Sequence, residues 1–394
     1  MLNEITMMLV ALDVIPKRLC DVVCGYVFFL TLVMKRHDLR VASEVVGLHE
    51  SRFSAMLNSP RTPELSRTLL NRSARRRLRQ IKPVAGRLVF IIDATINRRR
   101  GKQVENAGRY HSGSGLVRGH KFVNFVVLDG SVVVPLASIP VLTKKYAREN
   151  GYKYRTEAEI VVEWVSSLRD QCSLTPEQLQ SAIFLLDSGY DAKKIQHAIK
   201  DIGADFVMAL KSSRIINGKR VKELFRRTRR WLAWESIRLK AGSGGKGSRR
   251  TYSVRTARET HMKGFGLVHV VCSKAVGRKG KPTKFLATSD LEMTSREIVQ
   301  WYTKRWAIET WHREMKQNFG FIDCRAARFT AIESHVNFAL TAYIAQREMG
   351  RGQMRLEQFV RLTELQEIKV ELTKFGSGPR LKTRVAAALQ AIAA

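Results

Sequence analysis

RLVFIIDATI, residues 87–96, is the stretch on which the fold turns. Its apolar residues run without alternation, which predicts a strand buried on both faces, and an acid, Asp93, stands where that strand should end. HKFVNFVVLDG (120–130) and SVVVPLASIPVL (131–142) follow as two more strands, joined through the hairpin dipeptide Asp129-Gly130. Three sequential strands make an antiparallel meander. Beyond it the pattern predicts a helix over 156–172, the strand SAIFLLD (181–187), a helix over 192–203 and the strand ADFVMALK (204–211). The order βββαβαβ is that of an α/β chain with a mixed sheet and helices packed on it.

Upstream, residues 1–84 read as helical. The run DVVCGYVFFLTLVM (21–34) is the most apolar in the chain but short of the roughly 20 residues that cross a bilayer, so it predicts a buried helix. DLRVASEVVGLHESRFSAMLNSP (38–60) has the spacing of a helix, a turn at Gly47 and a second helix, which suits either a DNA-reading unit or a plain three-helix packing unit. RTLLNRSARRRLRQIKP (67–83) is densely basic and suits phosphate contact or a solvated helix face. Between 212 and 290 the composition turns basic and β-like, as an insertion with its own small sheet would. GSGGKGSRR (242–250) is its flexible tip and LVHVVCS (267–273) one of its strands.

After the insertion comes WYTKRWAIETWHREMKQNFG (301–320). On one continuous helix, Tyr302, Arg305, Glu309 and Lys316 fall within roughly 60° of one another, while Trp301, Ile308, Met315 and Phe319 form an adjacent apolar stripe. A phenol, two cations and a single carboxylate therefore line the border of the core. The remaining chain reads as mostly helical.

Lys and Arg total 69 against 35 Asp and Glu, a net charge of +34 spread along the chain. So large a surplus favours a long polyanion, nucleic acid first, over a small acidic metabolite. The five cysteines are odd in number and scattered, which fits reduced thiols and suggests neither a disulfide framework nor a paired zinc motif. Cytoplasmic placement without a membrane segment is expected.

Three acids share a logic. Asp93 and Asp187 are read at strand ends, and Glu309 on a helix able to pack across that edge. Converging carboxylates repel unless divalent cations lie between them, and hard oxygen donors favour Mg2+ or Mn2+. Two such ions serve in-line phosphoryl transfer, one activating the attacking water or 3′-hydroxyl and one stabilising the leaving oxygen.

Tyr302-x2-Arg305-x3-Glu309-x6-Lys316 resembles the YREK signature of the IS4-type DDE transposases, and IIDAT (91–95) and LLDSGYD (185–191) resemble the surroundings of that family's two aspartates. Asp187 follows Asp93 by 94 residues and Glu309 follows Asp187 by 122, a gap that matches relatives in which a β-rich insertion divides an RNase H-like fold. The resemblance spans about residues 85 to 320. It implies five regions: a helical DNA-binding part (1–84), the first part of an RNase H-like core (85–211), the β-rich insertion (212–290), the core segment with the Glu309 helix (291–329) and a helical C-terminal part able to dimerise (330–394).

The same resemblance implies cut-and-paste transposition of an insertion sequence. Such a protein binds terminal inverted repeats on double-stranded DNA, cleaves the ends, in well-studied relatives through a hairpin, and joins freed 3′-ends to target DNA. Asp93, Asp187 and Glu309 would be catalytic and hold two Mg2+ (or Mn2+) ions. Tyr302, Arg305 and Lys316 would contact phosphates, and a homodimer in a synaptic complex would be the active form. The setting would be bacterial-type cytoplasm, associated with the nucleoid when bound to DNA. Further candidate DNA contacts are Arg98, Arg99, Lys144 and Lys145. Trp231 or Trp234 would hold a flipped base. Asp191 is read as a helix cap, Asp129 as a turn residue and His312 as a side chain that packs or pairs with a neighbour. The competing readings are a DNA-binding derivative without chemistry, an RNase H-like structure-specific nuclease and an RNA-binding protein.

Overall fold

The apolar run after Lys17 and Arg18 folds as a helix whose residues 22–30 are all buried, as its composition requires. A computed structural model describes residues 2–32, 37–101, 103–112, 115–227, 233–240, 249–277 and 283–350. The chain divides into two units, residues 1–73, 101–105 and 313–394 in the first, and 74–100 and 106–312 in the second.

The first unit begins with α1 (Leu2–Val10), α2 (Cys20–Leu30), α3 (Leu39–Val46) and α4 (Glu50–Asn58). Asp38 caps α3 by accepting from the Arg40 and Val41 amides, and Gly47 ends it in the left-handed conformation at φ 74°. A Cβ would resist that conformation, so the helix, turn and helix read from the sequence are enforced by local chemistry. α5 (Thr62–Leu78) carries the basic run; the first unit takes it to Ser73 and the second from Ala74.

The second unit is built on β1 (Leu88–Arg98), β2 (Gly108–Ser112), β3 (Gly115–Asp129) and β4 (Val132–Val141). Then come α6 (Lys144–Glu149), α7 (Glu157–Ser166), α8 (Leu168–Cys172) and α9 (Pro176–Gln180), so the segment expected as one helix over 156–172 breaks at Ser167. β5 (Ala182–Leu186), α10 (Lys193–Asp201) and β6 (Asp205–Leu210) complete the expected alternation. β7 (Ile215–Ile216), β8 (Lys219–Arg220), α11 (Val221–Arg227), β9 (Glu235–Lys240), β10 (Arg249–Met262), β11 (Gly266–Ala275) and β12 (Lys284–Thr288) follow.

β4, β3, β1, β5 and β6 lie side by side, the first three antiparallel and the last three parallel. This is the RNase H-like arrangement, a mixed α/β sheet with its meander on one side and its parallel strands on the other. Phe90 stacks on Phe184 at 5.0 Å and Phe125 on Trp164 of α7 at 4.1 Å, seating that helix on one face. Burying each such ring contributes about 1.5–3 kcal/mol. The strands of 212–290 do not form a separate sheet. β12 pairs with β6, β11 with β12 and β10 with β11, so they extend the same one.

The sequence 301–320 is not one helix either. α12 (Ser295–Lys304) ends at Arg305 and α13 (Trp306–Asn318) begins after it, with the second unit reaching His312. Trp301, Ile308, Met315 and Phe319, the expected apolar stripe, are all buried. α14 (Phe329–Glu348) returns to the first unit, where its His335 receives the Tyr26 hydroxyl at 2.8 Å. Of the expected C-terminal helical region, residues 351–394 lie outside the described residues, as do Trp231 and residues 242–248 of the glycine-rich tip.

Candidate active site

β1 does not stop at Asp93, as expected from the sequence; it continues to Arg98, and Asp93 lies in its middle. The end belongs to its neighbour. β1 pairs with β5 only from Leu88↔Ala182 to Ile92↔Leu186, so the next residues level with each other are Asp93 and Asp187. Adjacent strands lie about 4.8 Å apart and side chains alternate with period two, so the parallel register presents both carboxylates to one side of the notch where β5 ends. On its other side Asp93 faces Asn124 of β3.

α12 and α13 bring the rest. Thr294 opens α12 with a capping box, its side chain taking the Glu297 amide while Glu297 takes its own. Tyr302, near the helix's end, donates its hydroxyl to Asp187 Oδ1 at 3.3 Å. Arg305, at the junction of the helices and 6 % exposed, bridges two acids, with Nη2 on Glu309 Oε1 and Nη1 3.7 Å from Asp93 Oδ2. Its guanidinium also lies 5.7 Å from the Tyr302 ring centre. Asp93, Asp187, Tyr302, Arg305 and Glu309 are thus gathered at one notch of the sheet. Lys316 follows on α13, in the segment assigned to the first unit.

The electrostatics follow from that crowding. Burial, above all, pushes the Asp93 carboxyl up to about 6, with Asp187 and Glu309 adding to it; Arg305 and the Ala94 amide at 2.9 Å pull the other way. Burial likewise raises the Tyr302 phenol to about 12, opposed by Arg305 and reinforced by Asp187, so it is a hydrogen-bond donor at neutral pH. Tyr190, in the turn after Asp187, has a buried hydroxyl that finds no hydrogen-bond partner among the described residues. Burial pushes this phenol up too, and Asp93, Glu157 and Asp187 reinforce the shift.

Among the described residues, no group of three or more His, Cys, Asp or Glu side chains is placed to hold a metal ion as it stands. The donor chemistry nevertheless fits a hard divalent cation, being carboxylate oxygen throughout. An added positive charge would relieve the repulsion that helps to hold Asp93 high.

Other expected residues fall away from the notch or have other partners. Arg98 is exposed at the end of β1, and Arg99 donates to His120 at 3.3 Å. Lys144 and Lys145 are exposed on α6, Lys144 lying 5.5 Å from the Tyr154 ring centre and Lys145 3.9 Å from Glu149. Trp234 is exposed and carries the Arg255 guanidinium 4.2 Å from its ring centre. His312 pairs with Asn124 at 3.0 Å, as a neighbour-bound histidine should. Asp129 accepts from the Lys82 amide and pairs with Arg77. Asp191 is no cap: it accepts from the Lys211 amide at 3.0 Å and from Gln196 at 3.0 Å, pinning the end of β6 to the turn after Asp187.

Sequence reasoning missed Lys284, which donates to the Tyr302 hydroxyl at 3.4 Å, and Trp306, 53 % exposed directly after Arg305. Trp306 was readable as the large apolar residue off the buried stripe. Lys284 had no such signal, since only the strand order brings it here.

The chain is similar to known proteins in two respects. The family model described as "Transposase DDE domain" matches residues 85–345, a span that includes all three acids and the Tyr302, Arg305 and Lys316 positions. A solved structure, the cryo-EM structure of piggyBac transposase synaptic complex with hairpin DNA, is similar over 92 % of this chain and 75 % of that one, at 12 % identity and a TM-score of 0.45. No curated protein matches.

Proposed function

The chain belongs to the transposase DDE domain family, and from that premise we propose that it is the transposase of an IS4-type insertion sequence. It would cut its element out of double-stranded DNA at the terminal inverted repeats and join it to a target. The observation that carries the reading is the register of β1 and β5, which sets Asp93 level with Asp187 beneath the helices that bear Arg305 and Glu309.

Asp93, Asp187 and Glu309 would hold two divalent cations, Mg2+ or Mn2+, which supply charge neutralisation and an activated oxygen for in-line attack. In the first cut, a water oxygen forms a bond to phosphorus, the P–O3′ bond breaks and the 3′-oxygen leaves with a proton. That 3′-hydroxyl would then attack a phosphorus of the opposite strand, closing a hairpin on the transposon end as that strand's P–O3′ bond breaks and the flanking 3′-oxygen leaves with the proton. The protein's own residues position this chemistry. Arg305 and Lys316 would meet the non-bridging oxygens with charge-assisted hydrogen bonds, and Tyr302, a neutral phenol, would turn its one O–H from Asp187 to a phosphate oxygen when DNA is bound. Trp306 offers an exposed ring face on which a base can stack, and Trp234, or Trp231 outside the described residues, would receive a flipped base.

Residues 1–84 would bind the repeat, with the helices around Gly47 and the basic α5 as the reading surface. Residues 85–211 and 291–329 would form the catalytic core, 212–290 its insertion and 330–394 the dimer contact. Two copies would act in a synaptic complex. The setting that goes with this reading is bacterial-type cytoplasm, at the nucleoid when bound to DNA; among the described residues no helix is long and apolar enough to cross a membrane.

The test is cleavage of a labelled duplex carrying the element's own terminal repeat in Mg2+ or Mn2+. Wild type should nick at the repeat boundary, Asp93→Ala should not, and Glu309→Gln should bind the repeat nearly as wild type does while cutting nothing. Binding lost together with cutting in Glu309→Gln would make that residue architectural. Repeat binding with no cutting by wild type, under conditions that permit synapsis, would reduce the protein to a DNA-binding derivative.

A further inference from the structure

Lys284 is the first residue of β12. β12 runs antiparallel to β6, pairing Phe285 with Leu210 and Thr288 with Val207, while β6 runs parallel to β5. The start of β12 therefore lies at the end of the sheet where β5 and β6 finish, and there Asp187 emerges. A strand entering in the other sense would carry its first residue to the far end. The topology thus delivers a lysine, 97 positions after Asp187 in the chain, to the same end of the sheet.

The side chain completes the approach. Lys284 Nζ donates to Tyr302 Oη at 3.4 Å and stands 5.0 Å from the centre of that ring. The same hydroxyl donates to Asp187 Oδ1 at 3.3 Å. Tyr302 is buried and Lys284 is exposed. The ammonium is therefore one hydroxyl away from the acid cluster, on a side chain that is exposed.

The charges at the notch give that position a use. Arg305 is ion-paired with Asp93 and Glu309, and its charge also acts on Tyr302 and Asp187. On the Asp187 side, Lys284 adds a second cation beside the carboxylate and the neutral phenol that an arriving DNA strand would meet. An ammonium on a flexible stem forms charge-assisted bonds with phosphate oxygens without demanding the fixed geometry of a guanidinium. Resting on the reading of this chain as a DNA transposase, we propose that Lys284 contacts a backbone phosphate beside the scissile bond, on the Asp187 side of the acid cluster.

The experiment measures binding in EDTA, so that the strands stay intact, to a fluorescein-labelled duplex bearing the terminal sequence of the element that encodes the chain. Wild type, Lys284→Gln and Lys284→Arg are compared across a salt series, with single neutral methylphosphonates placed at each phosphate flanking the boundary. Loss of one phosphate contact should make the log–log salt slope of Lys284→Gln less steep by about 0.9. One methylphosphonate should weaken wild type and Lys284→Arg and leave Lys284→Gln unaffected. Thermal melting should be the same for all three proteins, since the residue is exposed. An unchanged slope with the wild-type methylphosphonate profile in Lys284→Gln would overturn the assignment and leave the transposase reading standing. Salt-insensitive or absent DNA binding by wild type would overturn both.

Discussion

Asp93 illustrates what an acid costs at the residue scale. Its carboxyl is held up at about 6, above the ordinary aspartate range, chiefly because burial disfavours the charged form. The folded state therefore binds a proton more tightly than the unfolded state between about pH 4 and pH 6, and stability must fall as pH rises through that window. Above it the full penalty applies, about 2 to 3 kcal/mol at 1.36 kcal/mol per pH unit. Asp93→Asn, which cannot ionise, should accordingly be more stable than wild type at pH 7 without divalent cations, and the two should converge near pH 4. Urea unfolding at both pH values checks this. A variant less stable than wild type at pH 7 would mean that the Arg305 contact outweighs burial. The acids were legible in the sequence because their residue types and separations are chemical information carried by the chain itself. Lys284 was not, because its meeting with Tyr302 depends on β12 running antiparallel to β6, and nothing local to 284–288 specifies a partner strand.

At the scale of elements, the placement of the site depends on two strands holding register without slipping. β1 and β3 approach closely at Gly119, which pairs with Arg98; a Cβ there would lie 2.1 Å from the Asn97 carbonyl oxygen. Backbone cannot yield as a flexible side chain can. Gly119→Ala should therefore destabilise by about 3 kcal/mol, lowering the Tm by on the order of 8 °C, with the damage centred on Asn97 and Arg98. Thermal melting measures the cost, and a shift of a degree or less would show that the ladder relaxes freely. The same strands show where periodicity stops being informative. RLVFIIDATI announced a buried strand, but the alternation of Asp93, Thr95 and Asn97 with Ala94 and Ile96 also continues it, and only the lost partner at Leu186 marks a boundary. Likewise the 301–320 pattern carried its buried stripe correctly, yet gave no sign of the break at Arg305, since no glycine or proline interrupts it.

For the molecule as a whole, the relevant quantity is the surplus of cations, +34 in 394 residues, far beyond the net charge of about 2 to 8 that keeps a small domain soluble. Such a surplus acts on polyanions through counterion release, so affinity should fall steeply with salt. A chain that neutralises about eight phosphates gives a log–log slope of about −7 on duplex DNA. A flat response would remove nucleic acid as the partner altogether. A steep one does not by itself select DNA, because RNA carries the same phosphates; an RNA-binding protein of equal charge would show a comparable slope. What separates them is the acid cluster at the end of β5, which an RNA-binding surface has no use for. Binding to the terminal-repeat duplex should therefore withstand an equal mass of structured RNA at physiological salt, and Mg2+ should yield cut DNA and intact RNA. Efficient competition by RNA with no DNA cleavage would assign the positive surface to RNA and leave the three carboxylates without a task.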